Sequence, residues 1–160
     1  MKKLQLTTDY TLFENIHELP DEDKYLMDIA IDIRNKAYAP YSHFNVGAAI
    51  LLDNGKIVTG SNQENAAYPS GMCAERVAIF SAGAQYPNAI ITKIAISASS
   101  SHKKVEQPVA PCGACRQTIA EYEFKQDQPI KILFMGESGN IIKVNSLKSL
   151  LPLGFDKTFL

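Results

Sequence analysis

The chain has 160 residues, 46% of them apolar, with 16 basic against 17 acidic side chains and a net charge of −1. That length and apolar share fit one domain with a sizeable core and exclude a disordered chain. Balanced charge argues against a broad polyanion-binding surface, no apolar run approaches the roughly 18 residues of a membrane span, and no apolar stretch follows Lys2-Lys3 to form a signal peptide.

Residues 1–19 are mixed and polar and read as an N-terminal arm; residues 20–160 read as a single domain. "PDEDKYLMDIAIDIRNKAYAP" predicts a helix. Its acidic first turn suits the helix dipole, Leu26, Ile29, Ala30, Ile33 and Ala37 recur at helical spacing, and Pro40 ends it. "NVGAAILLDNGKIVTGSN" predicts two strands joined at Asn54-Gly55, a strong hairpin signal. After the loop "QENAAYPSG" comes a helix of about a dozen residues from Cys73. "ITKIAISA" is dense in β-branched residues and predicts a buried strand. The polar loop "SSSHKKVEQPVAP" leads into a helix near Cys112, with Pro111 where helices commonly begin. "IKILFMG" and "NIIKVNS" predict strands flanking a Ser-Gly turn, and the tail "LKSLLPLGFDKTFL" a short helix with an apolar end. Strands alternating with helices imply a layered α/β domain.

The chemistry concentrates in the cysteines. Cys112-Gly113-Ala114-Cys115 can place two sulfurs at one helix N-terminus, where the dipole and the free N–H groups favour thiolate. Cys73 lies 39 positions earlier and also begins a predicted helix, so two helix starts can face each other across one ion. Three cysteines fit a disulfide framework poorly, and a reducing cytoplasm is the simplest home. Three protein ligands leave the fourth tetrahedral position of zinc for water, the catalytic pattern rather than the structural one. A lone Cys73 would be core, and a lone Cys-x-x-Cys can be a redox pair, although such motifs usually follow the first strand of a βαβ unit and this one comes late. The joint pattern Cys-x-Glu…Pro-Cys-x-x-Cys matches the zinc deaminase template, with Cys in place of His as first ligand. Glu75 can then take a proton from the water without ligating the ion. Three thiolates with Zn²⁺ sum to −1, and the guanidinium groups of Arg76 and Arg116 are candidate charge-compensating partners.

Four blocks in order, "YAPYSHFNVGAA", "SNQENAAYPSGMCAERVAI", "PCGACRQ" and "LLPLGF", resemble the small homotetrameric, zinc-dependent cytidine deaminases of pyrimidine nucleoside salvage, from about Tyr38 to Phe155. The resemblance implies a three-layer α/β/α fold with a mixed five-stranded sheet, and a catalytic domain over 20–160. It implies one zinc per subunit on Cys73, Cys112 and Cys115, a zinc-bound water attacking C4 of cytidine or 2′-deoxycytidine, and Glu75 as proton shuttle, releasing uridine or 2′-deoxyuridine and ammonia. Asn62 and Glu64 would bind ribose hydroxyls. Bottom-up, residues at i and i+2 on an extended segment point the same way. Phe44 would stack on the pyrimidine, Ala66 would contact the base through its backbone, and Tyr68 would lie near a subunit junction. Phe155 would enter a neighbouring subunit's site, in a homotetramer with shared active sites.

Other readings stay open on sequence alone. A deaminase of polynucleotides should carry a basic, aromatic groove, yet Trp is absent and the longest basic run of that region is Lys103-Lys104. A blasticidin S deaminase would share the zinc motif, but Asn62-x-Glu64 and the Leu-Leu-Pro tail favour cytidine. A structural zinc module would need a fourth ligand and no Glu75. The expected partners are therefore a small nucleoside and other copies of the chain, with no nucleic acid and no membrane.

Overall fold

The structure, a computed structural model describing residues 1–160, is a mixed sheet between helical layers. The helices are α1 (Asp21–Arg34), α2 (Ala74–Gln85) and α3 (Gly113–Gln126). The strands are β1 (Thr11–Phe13), β2 (Phe44–Leu52), β3 (Ile57–Ser61), β4 (Ile91–Ser100), β5 (Lys131–Met135) and β6 (Ile141–Val144), in the order β1-β6-β5-β4-β2-β3. Among neighbouring strands only β4 and β5 pair in parallel, with α3 as the crossover that joins them. No helix is long and apolar enough to cross a membrane.

The sheet has six strands where five were expected. The extra one is β1, drawn from the stretch read as an arm. Thr11–Phe13 pairs antiparallel with Ile141–Lys143 and occupies a sheet edge. Three residues of which two are exposed carry too little alternation to announce a strand; the open edge of β6 supplies the hydrogen bonds that fix them.

The strand period of two builds both interfaces. Ala48, Ile50, Ile94, Ile96, Ile132 and Phe134 face α2 and α3 in the larger core. Their neighbours Ala49, Ala95, Leu133 and Met135 face α1 in the smaller one, against Leu26, Met27 and Ala30. The Asn54-Gly55 hairpin forms as expected, with Gly55 at φ +78° and Leu51 opposite Ile57. Helix α1 stops at Arg34 rather than running on to Pro40. Asn35 caps it, Lys36 and Ala37 make single-turn bonds to Ile33 and Arg34, and the chain then pairs elsewhere. Buried Asp23 of α1 is gripped by Lys93 of β4 and Lys143 of β6. Burial alone would raise its carboxyl, but the hydrogen bonds and charge of the two lysines hold it below its ordinary value.

Two features aim the helix starts. A Cβ on Gly60 of β3 would lie 2.5 Å from the Ala74 oxygen and 2.6 Å from the Ala78 nitrogen, so the first turns of α2 lie directly on β3. Before α2, Gln63 and Met72 exchange backbone bonds of 2.9 and 2.8 Å, while Tyr38 accepts from Glu64 and donates to Asn62. Residues 38, 62–64 and 72 thus become one short stack beside Cys73.

Candidate metal centre and its cleft

Cys73 and Cys112 are the N-cap residues of α2 and α3, both in extended backbone with φ −71° and −66°. Pro111 therefore stands before the cap rather than inside the first turn. Cys115 follows in the first turn of α3 and is fully buried. The three sulfurs lie within 4.8 Å of one another, and those of Cys73 and Cys112 are 3.8 Å apart. No other potential ligand joins the cluster. All three thiols are free.

The electrostatics poise one sulfur of the trio as a thiolate. The adjacent Cys115 thiol, joined by Arg76, outweighs burial and brings the Cys73 thiol down to about 5. Cys115 is pushed up in turn, first by its contact with Cys73 and then by burial. Arg76 donates from Nη2 to the Cys73 sulfur at 3.8 Å, and its Nε is buried without a partner. Converging soft donors, two of them at helix N-termini, with a guanidinium drawing charge from one, fit zinc.

Glu75 sits in the first turn of α2, 5% exposed. Burial raises its carboxyl above the ordinary range, and the neighbouring Cys73 charge adds to the effect. A carboxyl poised in this way can both hold and release a proton.

A cleft of about 530 Å³ opens beside Cys73, with Tyr41, Asn62, Glu64, Tyr68 and Arg76 among its lining residues. Glu64 Oε2 accepts the N–H groups of Tyr41 (2.9 Å) and Ser42 (3.2 Å). The Ser42 side chain and these N–H groups outweigh a small burial effect and hold the Glu64 carboxyl below its ordinary value. Asn62 accepts from the Val46 N–H (2.7 Å) and donates to the Phe44 carbonyl (2.9 Å). Its amide thus extends the β3 edge onto the start of β2, and keeps one N–H in reserve. Tyr68 is exposed and meets Tyr41 edge-on at 6.2 Å. The Tyr41 and Ser42 backbone was not singled out from sequence, because N–H groups that cradle a carboxylate leave no residue-type signature.

Other expected residues are placed differently. Phe44 opens β2, half-buried and outside the lining of this cleft. Ala66 is exposed, and neither its N–H nor its C=O has a partner within the chain. Phe155 lines a separate cavity of about 590 Å³, so within one chain it is not part of the Cys73 cleft. Arg116 does not serve the sulfurs. Its Nε donates to the Pro111 carbonyl (2.8 Å) and its Nη1 to that of Leu150 (2.9 Å). The two carbonyls outcompete a thiolate for its fork, which corrects the expected charge-compensating role.

Comparison with known proteins agrees with this geometry. Residues 20–127 match the family described as cytidine and deoxycytidylate deaminase zinc-binding region. A cytidine deaminase of Halalkalibacterium halodurans is 45% identical over 96 residues, spanning 60% of this chain and 68% of that protein. One from Sporosarcina psychrophila is 40% identical over 124 residues, 78% of this chain and 84% of that one. The crystal structure of cytidine deaminase from Burkholderia pseudomallei superposes with a TM-score of 0.72 at 36% identity, covering 86% of this chain and all of the other.

Proposed function

This chain belongs to the family of cytidine and deoxycytidylate deaminases, and from that premise we infer that it hydrolyses cytidine and 2′-deoxycytidine to uridine and 2′-deoxyuridine, releasing ammonia. The observation that carries the reading is the trio of sulfurs beside buried Glu75, with no fourth side chain completing the cluster.

Cys73, Cys112 and Cys115 would hold one zinc ion per subunit. Bound zinc supplies a Lewis acid that lowers the pKa of water towards neutrality. Glu75 takes the proton of the attacking water on a carboxylate oxygen and passes it to N3 of the pyrimidine. As the C4–N4 bond breaks, it takes the proton of the new C4 hydroxyl, which becomes the carbonyl, and gives it to the departing nitrogen, so that one water is consumed and one ammonia leaves. Burial keeps the Glu75 pKa high enough for both directions. Arg76 moderates the thiolate charge. In this reading Glu64 and the spare N–H of Asn62 accept and donate to the ribose hydroxyls, the free Ala66 backbone meets the base edge, and Phe44 stacks on the ring. Tyr68 lies where subunits meet, and Phe155 enters a neighbouring cleft of a homotetramer. The exposure of Tyr68 and Phe155, at 74% and 58%, supports those last two assignments.

We also propose residues 20–160 as the catalytic domain, 1–19 as an appendage whose strand seals the sheet edge, and a cytoplasmic location, in keeping with three free cysteines. The direct test follows the ultraviolet band of cytidine with purified protein, before and after chelation and zinc return. The band should shift to that of uridine, stop shifting on chelation and resume with zinc. Protein carrying stoichiometric zinc that leaves both nucleosides unchanged would overturn the reading.

A further inference from the structure

The start of α3 makes two sets of contacts. Cys112 and Cys115 point to the metal cluster. The next two side chains hold the C-terminal segment: Arg116 donates to the Leu150 carbonyl, and Gln117 Nε2 donates to the Phe155 carbonyl at 2.9 Å. Thr8 adds a third tie through its hydroxyl to the Ser149 carbonyl at 3.0 Å. Beyond the short helical turn at Leu147–Ser149, residues 150–156 have no helix or strand to order them, and Leu153 lies at φ +58°. The Phe155 ring is mostly exposed yet stacked on Phe159, with centroids 5.6 Å apart and planes 16° apart. Apart from that stacking, a ring on such a segment takes its direction from the bonds that hold its main chain.

We propose that Gln117 is a positioning residue of the deaminase reaction: it ties the Phe155 main chain to the metal-binding helix, so that the ring is presented in a fixed pose to a nucleoside bound by a neighbouring subunit. The proposal rests on the reading that Phe155 serves a neighbour's cleft. Its physical content is preorganisation. A ring held in place before the nucleoside arrives removes an ordering cost that would otherwise weaken binding. Gln117 is itself exposed, and a single exposed hydrogen bond adds little to global stability. Its loss should therefore appear in KM and leave the melting temperature alone. One helix thereby orders its own metal and its neighbour's substrate.

The test uses the zinc-loaded full chain with Gln117→Leu and Gln117→Glu, the second of similar shape but without a donor. Both should raise KM for cytidine severalfold, with kcat, zinc stoichiometry and melting temperature unchanged. Phe155→Ala should raise KM as well, and adding Gln117→Leu to it should produce no further rise. The proposal is overturned if Gln117→Leu costs as much in the Phe155→Ala background as alone, if it strips zinc, or if KM stays at the wild-type value while Phe155→Ala raises it. A Phe155→Ala enzyme with wild-type KM overturns the shared-site reading, and this proposal with it.

Discussion

Glu75 and Asn62 are each neighbours of something they do not bond in the obvious way. Glu75 is two positions from Cys73, yet it stands outside the sulfur cluster, buried and with its carboxyl raised above the ordinary range. Glu75→Gln removes the proton carrier and keeps the shape. It should retain zinc by elemental analysis while kcat falls by roughly 10²–10⁴, the usual span for a general acid–base; turnover at the wild-type rate would mean that another group moves the proton. Asn62 reads from sequence as a sugar ligand, but two of its amide contacts already brace β2. If its remaining N–H meets the ribose, Asn62→Ala should raise KM for cytidine by about tenfold, near 1.4 kcal/mol, and affect free cytosine much less. Equal losses for both would leave Asn62 as a brace for Phe44 alone. The three cysteines were legible because zinc demands sulfur in a spaced pattern. The placement of Arg116 was not legible because its guanidinium turns to the Pro111 carbonyl five positions back and to that of Leu150, brought close from 34 positions on.

Among the elements, the placement of α2 depends on what β3 lacks. Gly60 lets the helix backbone come within van der Waals reach of the strand, and its neighbours there are main-chain atoms that cannot step aside. Gly60→Ala should lift the α2 N-terminus, cost about 1–3 kcal/mol as overpacking does, and weaken zinc retention against a competing chelator. Gly55→Ala is the matched control. Its φ of +78° makes it strained, but no atom lies within 4 Å of the added carbon. It should lose stability without losing metal, and equal zinc loss in both would show that global strain, not helix placement, is responsible. Helices α1 and α2 and the hairpin were legible because their periodicity and turn chemistry are local. Strand β1 was not, since its hydrogen bonds come from β6, far along the chain. Nor was the grip of Lys93 and Lys143 on Asp23, which exists only once three elements have met.

For the whole molecule, the separation of Phe155 from the Cys73 cleft within one chain is the decisive arrangement. If Phe155 serves a neighbour's cleft, each subunit is incomplete in a way that mixing can repair. Unfolding and refolding Glu75→Gln and Phe155→Ala chains together should yield assemblies in which a site with intact Glu75 receives Phe155 from a neighbour. A high-affinity fraction should return that neither parent shows. If the mixture behaves as the sum of its parents, the ring and the carboxyl serve the same chain's site. The expected homotetramer rests on family resemblance alone, because exposed aromatics do not state what covers them.

Strand β4 lies in the chain between the two helix starts that supply the sulfurs, and it pairs with β2 on one side and β5 on the other. If the sheet assembles before those two helix starts meet, metal capture is a late event in folding, a clasp closed on a finished sheet. Zinc should then slow unfolding many-fold while leaving the refolding rate nearly untouched, and the metal-free chain should reach its native sheet unaided.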